Sequence, residues 1–301
     1  MRARSGATAR AAAAMAVAAA LACAASFTPR SVIENLRVLA LVASPLELWP
    51  GHSSVTLSAR TVLASGLPAA AGDVQEQWSF CPFSVGASVG YACASTLPAC
   101  DYRFPPGAAP AGFDALAQAQ ACLAALGASG GLPPTVPPDL SAVARLDLVF
   151  RYAVTDGATA REAVQIVPLY RTAPAVPNLP PAIQQVRICG AAVAANDFGP
   201  AVDSGCTLSS AADLEVEVIL TPDSAQPYAD ASGAHVEAPV VSFYTTAGRF
   251  DYDRASGPDA KVKLEYKEIS RGGDAWLYAV ARDLRGGETV AGPYRITVAG
   301  P

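Results

Sequence analysis

Seven cysteines and two histidines are the residues of this 301-residue chain best suited to chemistry. Six cysteines, Cys81, Cys93, Cys100, Cys122, Cys189 and Cys206, lie inside the chain; the seventh, Cys23, ends an apolar leader. An even count of internal cysteines in an exported chain points to disulfides. Cys189 and Cys206 stand apart behind a proline-rich segment and are expected to pair. The other four allow three connectivities, of which Cys81–Cys93 and Cys100–Cys122 are favoured because each closes a short loop. A zinc site is a poor fit, because no Cys-x-x-Cys pair occurs and His52 and His235 lie far from the cysteines in sequence. No metal and no cofactor is expected.

Nucleophilic hydrolysis needs a nucleophile, a base and an orienting group that meet in space. His52 falls early in the first β-rich segment and His235 in a loop of the second, so no such set is indicated. Both histidines read as solvated turn residues. Asp251 and Asp253 could lend carboxylates to a Ca²⁺ site, but with Arg254 beside them they read as a polar hairpin tip. The chain is therefore expected not to be an enzyme; a metal-dependent hydrolase is the remote alternative. Tyr91, Tyr102 and Phe104 cluster within the cysteine-bearing loop and form the candidate binding surface, the alternative being a satellite core beneath that loop. Trp78 and Trp276 read as core plugs, since large aromatics dominate sandwich cores.

The amino terminus supplies an address. Arg2, Arg4 and Arg10 precede an apolar run from Ala11 to Ala22, and Ala20-Leu21-Ala22-Cys23 follows. Positive charge, a short apolar run and small residues in that order mark a signal peptide, residues 1–22, too short to span a bilayer. The segment resembles a bacterial lipobox, in which the thiol is acylated and becomes the new amino terminus. It departs from the pattern in one place: Ala20 stands where Leu is preferred, and the Leu comes one residue later. Ordinary cleavage after Ala22 or Ala25, releasing a soluble protein, is the alternative. A multiply acylated Cys23 would hold the chain stably at a membrane, and Ala24, rather than an Asp, points to the outer membrane.

Loss of the leader removes three arginines and leaves 18 basic against 26 acidic residues, a net charge of −8. No basic cluster is present, so nucleic acid is not an expected partner. The mature ~280 residues suit two domains. Residues 23–31 read as a tether, 32–171 as the first domain, 172–181 as a linker and 182–301 as the second domain. The linker carries four prolines in ten residues, which favours an extended, semi-rigid connector.

Both domains share one strand grammar. Asn35–Ala43, Val55–Ala59, Gln75–Phe80, Leu146–Val154 and Ala163–Tyr170 alternate or run apolar in the first. Ile183–Cys189, Leu214–Val218, Val240–Thr245, Lys261–Tyr266, Trp276–Ala281 and Tyr294–Val298 do so in the second. Period-two patterning punctuated by Gly, Pro and Asp marks half-buried strands. Trp78-Ser79-Phe80 corresponds to Val241-Ser242-Phe243, and Tyr152-Ala153-Val154 to Tyr278-Ala279-Val280. Ser79 and Tyr152 are 73 residues apart, whereas Ser242 and Tyr278 are 36 apart. The excess falls in an insertion of about residues 81–139, which holds one short helix between an Asp114 cap and a stop at Gly127, with Phe113, Leu116, Leu123 and Leu126 near one face. The expected fold is all-β: two tandem β-sandwiches, the first bearing this disulfide-rich insertion.

The chain resembles the envelope lipoproteins predicted in myxobacteria. The resemblance rests on the leader ending in Cys23, Ile33-Glu34-Asn35-Leu36-Arg37-Val38-Leu39-Ala40, Pro50-Gly51, Trp78-Ser79-Phe80-Cys81-Pro82, Gly90-Tyr91-Ala92-Cys93, and Trp276-Leu277-Tyr278-Ala279-Val280 with Arg285-Gly286-Gly287. It implies an immunoglobulin-like cell-envelope protein of unassigned function and supplies no catalytic residues. Cys81 lies just after Trp78 rather than on a facing strand, which departs from true immunoglobulin domains. The expected role is a lipid-anchored binder of a protein or glycan partner, or else a structural spacer or assembly subunit. Peptide mapping under non-reducing conditions is expected to recover Cys189 joined to Cys206; a free thiol at either position would refute that pairing.

Overall fold

Leu214-Glu215-Val216-Glu217-Val218 shows how the strands form: its three apolar side chains are buried and the two glutamates lie on the other face, the two-residue period of a strand. The computed structural model describes residues 30–194, 196–230, 233–267, 269 and 271–300. The leader and Cys23 lie outside the described residues.

The first half contributes β1 (Arg37–Ser44), β2 (Ser54–Val62), β3 (Gln75–Cys81), β4 (Tyr102–Arg103), β5 (Phe113–Asp114), helix α1 (Ala115–Ala128), β6 (Arg145–Thr155) and β7 (Ala160–Tyr170). They build two sheets, ordered β1-β2-β5 and β4-β3-β6-β7. A core of Leu41, Leu57, Trp78, Phe80, Phe150 and Tyr152 lies between them. The second half contributes β8 (Ile183–Ile188), β9 (Ala191–Val193), β10 (Asp197–Leu208), β11 (Leu214–Leu220), β12 (Pro227–Asp230), β13 (Gly233–Val236), β14 (Val240–Thr245), β15 (Arg249–Phe250), β16 (Arg254–Ser256), β17 (Asp259–Glu265), β18 (Gly273–Arg282) and β19 (Glu288–Val298). Its sheets are ordered β10-β19-β18-β14-β16 and β15-β17-β11-β8-β9, with β12 and β13 forming a separate hairpin. Lettered along the chain, β8, β11, β15 and β17 form the A-B-E-D sheet of an immunoglobulin-like sandwich, and β14, β18 and β19 its C-F-G sheet. In the first sandwich β3, β6 and β7 are C, F and G, while the E strand shrinks to the two residues of β5.

The repeat holds at the level of strands, since β3-β6-β7 and β14-β18-β19 are both antiparallel runs. Its register does not hold. Trp78 pairs with Tyr152 inside the first sandwich, whereas Tyr278 pairs with Tyr244 and points out of the second. Trp276 is likewise half-buried on that outer face rather than a core plug. Strand β10 has no counterpart in the sequence reading, because Gly199, Pro200 and Gly205 disguise it. It is an edge strand, where proline is tolerated, and it pairs parallel to β19 through two register shifts.

The insertion is pinned by Cys81–Cys93 and Cys100–Cys122, while Cys189–Cys206 joins the end of the β8 hairpin to β10. Asp114 caps α1, accepting from Ala117 N at 3.0 Å. The helix passes through Gly127 instead of stopping there. It ends at Ser129, whose hydroxyl bonds Leu126 O, and the left-handed glycine comes later, at Gly130. Its buried stripe is Ala115, Ala119, Cys122 and Leu126, so small residues, not Leu116 and Leu123, set how closely it packs. Phe113 precedes the helix and pairs with Val55.

Both sandwiches belong to one unit, Ser31–Pro301. Ile33, Leu39, Ala40 and Val62 from the first meet Tyr278, Val280 and Val290 from the second in a third apolar cluster. The linker runs along this contact rather than spacing the sandwiches apart: Asn178, 4% exposed, donates its main-chain N–H to Glu47 (2.8 Å) and its amide to Asp283 (2.9 Å). Gly66 sits at the same seam with φ +82°, and Tyr278 donates to its carbonyl at 2.6 Å. A Cβ at Gly66 would overlap Thr246 Cγ2 and lie 2.5 Å from Trp276 Cδ1. Gly66→Ala is therefore expected to destabilise the unit by about 2–4 kcal/mol, from overpacking plus left-handed strain. An unchanged urea midpoint would show that the seam is loose.

Candidate functional site

The residues singled out for chemistry do not converge. His52 is an exposed turn residue beside Trp49, with ring centroids 4.9 Å apart, and His235 stacks on Tyr228 at 5.2 Å. Asp251 Oδ1 accepts from Tyr252 N and Lys263 N, each at 2.8 Å, and Asp253 faces Arg254 at 3.6 Å. Those carboxylates hold a hairpin tip together. Gly-x-Ser-x-Gly, the spacing of a nucleophile elbow, occurs at Gly86–Gly90 and Gly127–Gly131. An elbow needs a strand-to-helix turn, but Ser88 sits in a 3₁₀ turn and Ser129 closes the carboxyl end of α1.

The candidate surface of Tyr91, Tyr102 and Phe104 is not assembled either. Tyr102 meets Phe104 edge-on at 5.0 Å and stacks on Phe113 at 5.5 Å, and Phe113 in turn touches Phe80 at 5.1 Å. These rings belong to the first core: β4 pairs with β3 so that Tyr102 faces inward beside Phe80. Tyr91 sits elsewhere, half-buried in a turn with φ +57°. On the outer face of the same sheet Arg151 pairs with Asp101 of the insertion and donates to Ser79 Oγ at 3.2 Å, tying the cysteine loop down.

The structure instead gathers functional groups at the seam. Arg285, in the turn between β18 and β19, donates from one guanidinium nitrogen to Glu47 of the first sandwich (2.8 Å) and from another to Glu237 of the second (2.7 Å). Both carboxylate side chains are buried, 3% and 1% exposed. Asp283 shapes the turn by accepting from Arg285 N (2.7 Å) and Gly287 N (2.8 Å). The guanidinium also lies 4.8 Å from the centre of the Tyr228 ring. Burial works to lower the Arg285 pKa, but the hydrogen bond to Glu237 and the charges of Glu47 and Glu237 outweigh it and raise it. Burial pushes the Glu237 carboxyl up, against the hydrogen bond from Arg285. Beside this tie a cleft of about 470 Å³ opens between the sandwiches, lined by Tyr170, Tyr228, His235 and the linker from Thr172 to Val176. Aromatic rings, charge and an extended chain thus line it at the junction of the two sandwiches. Sequence reading could not find it, because Glu47 and Arg285 are 238 residues apart.

No protein-family profile matches the chain, and no curated protein matches it. Among solved structures, the D0-D1 domain of intimin is similar at 12% identity and a TM-score of 0.21, covering 87% of this chain and 96% of that one. The cadherin-like domains 1 to 4 of zebrafish RET are similar at 10% identity and a TM-score of 0.16, covering 76% of this chain and 41% of that one. The chain's own strand order defines its class, a pair of immunoglobulin-like β-sandwiches. Three disulfides place such a protein in an oxidising compartment, as an exported protein.

Arg285→Ala leaves two buried carboxylates facing each other without a cation, which is expected to cost about 3–5 kcal/mol. Burial already pushes the Glu237 carboxyl up and the hydrogen bond from Arg285 opposes it, so without the guanidinium the folded state binds more protons at Glu237 and the defect shrinks as pH falls. Urea denaturation at pH 7.5 and pH 5 is expected to show the larger loss at pH 7.5; equal losses would show that the carboxylates are not charged partners of Arg285.

Proposed function

We propose that this protein is a non-enzymatic lipoprotein of the bacterial cell envelope, acylated at Cys23 and held at the outer membrane. Its loops on the two sandwiches bind a protein or glycan partner. The carrying observation is the cysteine arithmetic: six cysteines are consumed in three disulfides, and the one left over directly follows the small residues of an export leader. A disulfide-braced insertion and a cleft at the junction offer rigid surfaces, and rigid surfaces lose little freedom on binding. The second reading, a structural subunit of an envelope assembly, is favoured by the locked junction, which transmits load between sandwiches.

Cys23→Ala is expected to shift the protein from the detergent-extracted membrane fraction to the soluble periplasmic fraction. Unchanged partitioning would refute the anchor. Cross-linking in intact envelopes followed by mass spectrometry separates the two readings: contacts through the insertion or the junction cleft support binding, and contacts confined to other faces support the structural role.

A further inference from the structure

Between α1, the 3₁₀ turn Leu140–Ala142 and the end of β7 lies a cleft of about 340 Å³. Its wall is mostly apolar: Leu116, Leu140, Val143 and Leu146, each only half-buried, with the Tyr170 ring alongside and the polar side chains of Gln120 and Ser141 also in the lining. This is the seam where the main core of the first sandwich meets the small core of the insertion, and neither core closes over it. At its edge stands Arg171, exposed, with a guanidinium that has no ion-pair or hydrogen-bond partner among the described residues. The neighbouring charges are engaged. Arg145 pairs with Asp147 at 2.8 Å, and Asp139 caps the 3₁₀ turn through Ser141 N (2.8 Å) and Ser141 Oγ (2.5 Å).

Main-chain groups around the cleft are engaged too. Val143 N donates to Leu140 O, Tyr170 N to Leu48 O and Arg171 N to Ala144 O, while Leu146 and Leu169 pair across the β6–β7 ladder. A peptide would find few partners there for its amides, and an unpaired amide is costly. An alkyl chain carries no such demand. Mostly apolar walls with one free cation at the rim suit a ligand with a hydrocarbon tail and an anionic head.

We infer that the cleft between α1 and β7 binds a single-chain anionic amphiphile, with its tail against Leu116, Leu140, Val143 and Leu146 and its carboxylate or phosphate at Arg171. The inference goes beyond the envelope-lipoprotein reading and does not need it. The cleft owes its shape to Cys100–Cys122 and to Gln118, which donates to Ala99 O at 2.8 Å and holds α1 in place. Lipid-derived carboxylates and phosphates share this chemistry, and the head group decides between them.

The test uses the full mature chain carrying Cys23→Ala, so that no detergent competes for the cleft. Dodecanoate and dodecyl phosphate are titrated by calorimetry, with dodecyltrimethylammonium as the cationic control. Saturable one-to-one binding of either anion is expected, with the cation at least about 5-fold weaker, and the tighter anion identifies the head group. Arg171→Glu, at an exposed position, is expected to weaken anion binding about 5–10-fold without moving the melting temperature. Val143→Trp fills the cleft and is expected to abolish saturable binding. Absence of saturable binding to the unsubstituted cleft overturns the proposal. So does equal affinity for the cation, or binding that neither substitution changes. Failure of Cys23 acylation leaves all of these readouts intact.

Discussion

Strand β1 cannot be completed within its own sandwich, and the arrangement of the whole unit follows from that. It is the edge of the β1-β2-β5 sheet, so one row of its main-chain groups faces away from β2. An uncovered edge exposes unpaired donors and acceptors and invites aggregation. Here the second sandwich covers it with side chains. Leu39, extruded by the bulge between Val38 and Ala40, offers its carbonyl to Arg282 Nη2 at 2.7 Å. Leu41 donates its N–H to Glu288 at 2.9 Å, and Arg282 and Glu288 pair with each other at 2.6 Å. The outward apolar side chains of β1 meet Val280 and Val290 in the same contact. The segment before β1 is held as well, Ile33 N donating to Thr245 O and Thr245 N to Ser31 O. Sandwich one thus has a finished edge only when sandwich two is in place.

That dependence explains patterns in the sequence that alternation alone misreads. Val38-Leu39-Ala40-Leu41-Val42 and Trp276-Leu277-Tyr278-Ala279-Val280 look like fully apolar strands, and they are, because both faces are covered. On β18, Ala275, Leu277 and Ala279 face their own core while Trp276, Tyr278 and Val280 face the other sandwich. Period-two reading located most of the long strands, and the Asp114 cap located the start of α1, because those signals are local. It gave no means of telling which face of a strand is covered by which neighbour. Tyr102 and Phe104 were legible as a cluster, with a satellite core as one alternative, but not as part of the main core, since that depends on β4 pairing with β3 across 20 residues of loop. The Arg285 tie and β10 were illegible for related reasons. One joins residues from opposite ends of the chain, and the other is a strand written in turn residues.

The polar part of the junction does different work from the apolar part. Burying Glu47 and Glu237 against one arginine gains little net stability, because desolvation offsets most of the attraction. An apolar patch alone, however, tolerates sliding and rotation, whereas a guanidinium bonded to two carboxylates at 2.7 and 2.8 Å does so at few relative orientations. Asp283 and Asn178 extend this restriction to the turn and the linker. The proline-rich segment, which by composition alone would serve as a spacer, becomes one wall of a fixed cleft.

Fixed geometry changes what the two sandwiches can present. Independently moving domains would need to be immobilised by a partner that touches both, and that ordering would weaken binding. With the seam closed by Arg282–Glu288 and Arg285, the two sandwiches present one composite surface. The same rigidity favours a load-bearing subunit, so rigidity by itself does not choose between binder and scaffold. Surface chemistry is the better discriminator. Half-buried leucines and an exposed arginine line an open cleft on the disulfide-braced insertion. A binding protein has a use for them, and the cost of bracing a loop of prolines with two disulfides is easier to account for if the loop shapes a site.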